Sequence, residues 1–323
     1  MKEMICVKKV VVLGGGTGLS VLLSGLKLFP IDITAVVSVA DDGSSTGRLR
    51  EEFNIPAVGD LRKVLVSLSE VEPLVEQLLE YRFNTVSDLN GHAMGNLMLA
   101  ALFNITGNLT ESLTSLSKIL NIKGRVLPFT EDNAVLVAHT KEGEVIEGES
   151  KITKAFKHID YVEYKKPVKA TKNVLEALKK ADLIIIGIGS LYTSVIPNLL
   201  DSNVVKEIKN SKAKKMYVSN IMTEHGETDR FNVSDCIKQI NKYAGENIID
   251  VVVANNGSIP KKIQKLYDVE KAEPIKLDYD ELKNMGIKVI ENDFVKLTNN
   301  QVRHDNIKTA LEIFTYINNS GDV

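Results

Sequence analysis

The sequence predicts an α/β protein of the Rossmann-like kind, a three-layer sandwich with a mostly parallel sheet and a small β-rich insertion. Three observations predict it. Apolar runs rich in Val and Ile, each of buried-strand length, alternate with segments whose apolar residues recur at helical spacing. Five of these runs end in small, polar or acidic residues, which is where ligands sit in open parallel sheets. The first run, Val10-Val11-Val12-Leu13, breaks into Gly14-Gly15-Gly16-Thr17-Gly18, then into a helical pattern through Leu19, Leu22, Leu23 and Leu26.

That first strand, turn and helix place backbone N–H groups without intrahelical partners at the positive end of a helix dipole. This is a ready anion site, and glycine lets a phosphate approach the backbone. The turn is neither of the familiar nucleotide fingerprints. Gly14 and Gly16 fit the first two positions of G-x-G-x-x-G, but Leu19 takes the third, and the acidic residue expected about 20 positions on could only be Asp41 or Asp42. Gly18 is followed by Leu19, not by the Lys of a P-loop. A turn serving only tight strand–helix packing is the blander reading.

The composition sets bounds. The 323 residues suffice for one large α/β domain or two smaller ones, and we expect a single domain over 1–323 with the insertion at 124–168. Lys and Arg number 40 against 42 Asp and Glu, a net charge of −2, so no basic field recommends nucleic acid as a partner. Cys6 and Cys236 lack metal-site spacing and suit a reducing compartment. With no signal-peptide pattern and no apolar run of membrane-span length, a cytoplasmic protein is expected.

The second strand, Ile33 to Val39, runs into Ala40-Asp41-Asp42-Gly43-Ser44-Ser45-Thr46-Gly47. Adjacent carboxylates can take Mg²⁺, accept ribose hydroxyls, act as a base, or simply form an Asx turn. Neighbours in sequence point different ways, so one is expected in a site and the other on its own loop. Asp60 is a good N-cap for a helix with Leu61, Val64, Leu65 and Leu68 on one face. Leu74, Leu78 and Leu79 mark another helix. Asp88 to Leu97 is read as the opening of a further one, with His92 and Asn96 one turn apart on a shared face. From Gly124 to Val168 the texture turns to short strands, including a hairpin around Lys141 to Glu144.

Alternation then resumes. Leu175 and Leu178 mark a helix, and Asp182 to Ile186 a buried strand ending in Gly187-Ile188-Gly189-Ser190-Leu191-Tyr192-Thr193-Ser194, a second candidate phosphate cradle. Strands follow at Lys215 to Val218, ending in Ser219 to Thr223, and at Ile248 to Val253, ending in Ala254 to Gly257. Arg303-His304-Asp305 precedes a last helix. Arg303 suits a diphosphate, and Asp305 suits a helix cap.

These residues resemble the YvcK/CofD-like family, its bacterial YvcK-type branch above all. The matching stretches are Gly14 to Leu19, Ala40 to Ser45, Gly59-Asp60-Leu61-Arg62, Gly91 to Leu97, Gly189 to Leu200, Asn220 to Thr223 with Gly226-Glu227-Thr228, and Arg303-His304-Asp305, which together span nearly the whole chain. The resemblance implies a Rossmann-like fold and a cytoplasmic nucleotide-sugar-binding factor. Its ligands would be UDP-glucose or UDP-N-acetylglucosamine, and it would be required for cell shape and cell-wall growth on gluconeogenic carbon. The alternative it implies is a metal-dependent phosphotransferase similar to 2-phospho-L-lactate transferase. A regulatory binding protein is preferred to a transferase, and NAD ranks behind both kinds of ligand. A homo-oligomer and cell-wall synthesis partners are also in keeping with the resemblance.

Under the first reading Gly15, Gly16, Thr17, Gly18 and Gly189, Ser190, Leu191, Tyr192, Thr193 hold the diphosphate, Asp41, Asn220 and Asn255 meet ribose, base or sugar, and Arg303 closes on the charge. Under the second, Asp41 or Asp42 holds Mg²⁺ and His92 positions a group, so Asp41, Asp42 and His92 are the catalytic candidates. Ser44, Asp60, Asn96 and Thr223 complete the candidate contacts. Three departures stand out. Ser44 replaces a second family Gly, Ile188 replaces a family Pro and so predicts a less rigid second loop, and Asn306 stands where some relatives carry a Thr open to phosphorylation.

Overall fold

The computed structural model describes residues 7–319, so Cys6 lies outside the described residues. Its strands, in chain order, are β1 (Lys9–Gly14), β2 (Asp32–Val37), β3 (Arg125–Pro128), β4 (Leu136–Thr140), β5 (Val145–Glu147), β6 (Ile159–Tyr164), β7 (Leu183–Ile186), β8 (Lys214–Val218), β9 (Val251–Asn255), β10 (Lys288–Asn292), β11 (Val295–Thr298) and β12 (Gln301–His304). Seven form one sheet in the order β10-β9-β8-β7-β1-β2-β3, with every neighbouring pair parallel. The chain winds from β1 through β2 to β3 on one side and from β7 through β8 and β9 to β10 on the other. Strand order therefore reverses between β1 and β7, where Val10 pairs with Leu183 and Leu13 with Ile186. In open α/β sheets the crevice at the carboxyl ends of such strands is the usual ligand position.

The five strands expected from apolar runs are β1, β2, β7, β8 and β9, and they are the five consecutive central strands. Their residues are buried because helices cover both faces, and so the sequence shows continuous apolar runs without alternation. The helix Gly16–Leu26 packs against the helices Gly59–Leu68 and Asn306–Asn319. Asp305 caps the last of these, its Oδ1 accepting from the amides of Ile307 (3.1 Å) and Lys308 (3.0 Å).

Two expectations need adjustment. Arg125–Pro128, grouped by texture with the insertion, pairs with β2 as the edge of the main sheet, and the separate antiparallel sheet is β5-β4-β6. Its hairpin has the expected strands, with Ala138 opposite Ile146. The helix that was to carry both His92 and Asn96 runs only over Met94–Thr106, with Ala93 as its extended N-cap, so His92 precedes it. Gly91, at φ +77°, and the pairing of Arg82 with Ala93 hold that approach out of helical geometry.

The insertion is fixed to the body at several points. Tyr243 Oη accepts the Val162 amide at 2.6 Å, and Tyr164 Oη donates to the Pro197 carbonyl at 3.2 Å. Asp42 Oδ1 accepts the Ser150 amide (2.8 Å) at the start of the insertion helix Glu149–Ala155. Asp42→Ala leaves that amide without its acceptor, at a local cost of about 1–2 kcal/mol. Hydrogen exchange at Ser150 and along this helix is expected to quicken while β1 and β7 stay protected. An unchanged rate at Ser150 would show that Asp42 does not anchor the insertion.

Candidate functional site

Both glycine loops lie at the switch point. In the first, the Gly16 amide donates to Asp60 Oδ2 at 2.6 Å, and Lys63 Nζ meets Asp60 Oδ1 at 2.9 Å. Asp60 thus caps the helix Gly16–Leu26 from across the crevice rather than its own helix. A protein carboxylate takes the first amide of the anion site, leaving the Thr17 and Gly18 amides, which the helix geometry does not satisfy. Gly18 is required by close approach, since a Cβ there would lie 2.7 Å from Ile188 Cγ2.

The second loop begins at Gly187, whose φ is +98°. Ile188 is buried, and the Gly189 amide and carbonyl are both bonded to the Asn220 side chain, at 3.4 and 2.9 Å. Packing and this amide clamp support the loop where the proline ring is missing. Beyond Ser190 the chain makes one π-helical turn, Leu191–Val195. The Tyr192 amide donates to Glu227 Oε2 (2.9 Å) and the Thr193 hydroxyl to Glu227 Oε1 (3.1 Å). Leu191, Tyr192 and Thr193 therefore face inward, and a second carboxylate fills the second cradle. Burial, then the nearby Glu224, push the Glu227 carboxyl up to about 8, and burial raises Glu224 as well.

Above these loops opens a cavity of about 690 Å³. It brings together Gly16, Thr17, Gly18, Gly189, Ser190, Asn220, Thr223 and Arg303 of the expected residues, with Glu224, Glu227, Tyr267 and His304 added. Arg303 lies on β12, which pairs with β11 in an antiparallel hairpin. Its guanidinium donates to Gln301 Oε1 (2.6 Å) and at 3.5 Å to the Val302 carbonyl, both neutral acceptors. The Val302 amide donates to Tyr267 Oη at 2.8 Å, which sets the hairpin over the cavity. Burial pushes the His304 imidazole down to about 4 and keeps it neutral.

The remaining expected residues do not line this cavity. Asn255 bonds its own loop, to the Gly257 carbonyl and amide, and accepts the Phe294 amide. Ser44 is exposed, and Gly15 lies against Asp60 and Ser194. His92 Nδ1 and Asn96 Nδ2 meet the hydroxyl of buried Ser45, at 3.0 and 3.2 Å. Burial, then Arg48, lower the His92 pKa, while Asn96 Oδ1 is buried without a hydrogen-bond partner.

Asp41 Oδ1 accepts the Gly43 amide (2.8 Å), so Asp41 serves its own loop while Asp42 reaches across to the insertion. Burial and the Asp60 charge raise Asp41, and burial with Asp60 and Asp41 raises Glu149 well above the usual range. Asp41 and Asp42 are each held by an amide on a different element. Among the described residues no group of three His, Cys, Asp or Glu side chains is arranged to hold a metal ion. Turned to different partners, Asp41 and Asp42 as placed do not form a two-carboxylate Mg²⁺ site.

Glu149 and Glu224 were not among the expected site residues, and Glu227 stood only in the matching stretch Gly226-Glu227-Thr228, without a role. The signal for the last two was their spacing of three just past the end of β8, beside residues already singled out there.

Seven parallel strands, two glycine loops at the switch point and one cavity beyond them define a Rossmann-like α/β protein with its pocket at the carboxyl ends of the strands. A family profile described as 2-phospho-L-lactate transferase CofD matches residues 10–295, and the chain belongs to that family. The chain is 47% identical over 306 residues to the gluconeogenesis factor of Bacillus subtilis (strain 168), covering 94% of this chain and 96% of that one. The gluconeogenesis factor of Halalkalibacterium halodurans is also 47% identical, over 304 residues and 94% of each chain. The crystal structure of protein BH3568 from Bacillus halodurans matches with a TM-score of 0.93 at 46% identity, covering 95% of this chain and 99% of that one. Among the described residues no helix is long and apolar enough to cross a membrane.

Proposed function

We propose that the protein is a cytoplasmic nucleotide-sugar-binding factor that takes UDP-glucose or UDP-N-acetylglucosamine and supports cell shape and cell-wall growth on gluconeogenic carbon. The observation that carries this is the convergence, on one cavity, of the Thr17 and Gly18 loop, the Arg303 guanidinium and the polar end of β8. Loop amides and an Arg fork suit a diphosphate. Asn220, Thr223 and Ile221 with Met222 offer polar and apolar surface to the rest of such a ligand. The likeness to gluconeogenesis factors supports the physiological part of the reading.

Calorimetric titration with UDP-N-acetylglucosamine, UDP-glucose, GDP and NAD, each with and without Mg²⁺, tests it. UDP-sugar binding with intact ligand recovered afterwards is the expected result. Arg303→Ala removes the cation and is expected to weaken that binding about 10- to 100-fold. No UDP-sugar binding up to millimolar concentration sinks the reading, and Mg²⁺-dependent consumption of a nucleotide diphosphate would replace it with a phosphotransferase.

A further inference from the structure

The cavity has polar walls of two hydrogen-bonding kinds. The first helix and Arg303 supply donors, but the stretch after β8 together with His304 supplies acceptors. Glu224 lines the cavity, and the donors that reach its carboxyl are neutral: Asn220 Nδ2 at 3.3 Å and the Ser190 hydroxyl. An ionised carboxyl has about four acceptor sites, so two donors leave half of them open. Asn220 is itself clamped to Gly189 on both sides, which fixes where Glu224 points.

His304, 8% exposed, lines the same cavity, and its Nε2 is buried without a hydrogen-bond partner. The backbone of Ser219 engages the ring, which burial keeps neutral. With its other nitrogen donating there, Nε2 is left as an acceptor. Ser219 and Asn220 are adjacent in sequence, so one short stretch holds both acceptors. Desolvated acceptors without donors are costly, and a ligand that brings O–H donors removes that cost. A second anion there would meet the Glu224 carboxylate. A vicinal diol brings two donors and no charge.

Resting on the nucleotide-sugar reading, we propose that Glu224 accepts the hydroxyl hydrogens of a vicinal diol in the ligand. His304 Nε2 is the second acceptor, and together they make the pocket specific for a hydroxyl-rich sugar ring. The diol belongs either to the ribose or to the hexose.

The test titrates wild type and Glu224→Gln with UDP, 2′,3′-dideoxyuridine diphosphate and UDP-glucose. If the ribose supplies the diol, wild type binds UDP about 10- to 100-fold more tightly than the dideoxy compound. If the hexose does, wild type prefers UDP-glucose to UDP by that factor. In either case Glu224→Gln shrinks the same ratio about tenfold. His304→Gln is expected to shrink it too, and carries the test should Glu224→Gln not fold. A wild type that binds all three equally, or a variant that loses affinity equally for all three or for none, overturns the assignment and leaves the nucleotide-sugar reading standing. Failure of wild type to bind any of the three overturns that reading, and the assignment with it.

Discussion

Gly187→Ala is expected to destabilise the protein by about 2–5 kcal/mol and to lower affinity for any ligand of the cavity. Two costs combine. Gly187 has φ +98°, a region that an alanine occupies only with strain. A Cβ there would also lie 2.7 Å from the Val218 carbonyl oxygen and 3.2 Å from the Tyr217 ring. Those atoms belong to β8, which is hydrogen-bonded to β7, so neither strand can yield alone. Relief must come from shifting the loop, and the loop carries Gly189 and, through Asn220, the setting of Glu224. Guanidinium unfolding of Gly187→Ala beside Gly143→Ala measures the effect. Gly143 also has a positive φ, +84°, but nothing lies within 4 Å of the added Cβ, so it reports strain alone, about 1 kcal/mol. Equal losses in the two variants would show that the packing against β8 is not tight.

The same contrast between central and peripheral strands explains how much of the fold was legible. β1 and β7 are apolar on both faces, so Val10 to Leu13 and Leu183 to Ile186 read directly as strands. β10 is an edge strand with Lys288 and Glu291 exposed, and β11 and β12 form a small hairpin with Leu297 and Gln301 at the surface. Their alternation is too short and too polar to separate from loop. Arg303 could therefore be singled out, while the hairpin that holds it over the cavity could not.

In the site, loop chemistry was legible because glycines and hydroxyls follow strands in sequence. What the carboxylates bind was not, because it is decided by the tertiary fold. Asp60 reaches back 44 positions to the Gly16 amide, and Glu227 reaches back 35 to Tyr192. Asp60 looked like a local cap and Glu227 carried no role, and each instead occupies a cradle that sequence alone assigns to phosphate. The local pattern was no better a guide to His92, whose hydrogen bond to Ser45 spans 47 positions.

Glu227→Gln is expected to stabilise the protein increasingly as pH rises from 5 to 9. Glu227 is 6% exposed, accepts from Tyr192 and Thr193, and has Glu224 as its charged neighbour. Burial, reinforced by Glu224, raises its pKa from 4.5 to about 8. Below 4.5 the carboxyl is protonated in both folded and unfolded chains and contributes no pH dependence. Between 4.5 and about 8 the folded chain holds the proton that the unfolded chain has lost, so stability falls with rising pH, and above 8 the whole penalty is present. At about 1.4 kcal/mol per unit the gap sets a ceiling near 5 kcal/mol, and relaxation around a shared Glu224–Glu227 charge brings the expected difference to about 1–3 kcal/mol. A glutamine cannot ionise. Its carbonyl can still accept the Tyr192 amide, and its amide can donate to the Thr193 hydroxyl. Urea unfolding of both proteins at pH 5, 7 and 9 should show the variant's advantage growing with pH. An advantage independent of pH, or a loss of equal size at all three, would mean that Glu227 keeps an ordinary carboxylate pKa in the folded chain and that its burial is offset by partners beyond Tyr192 and Thr193.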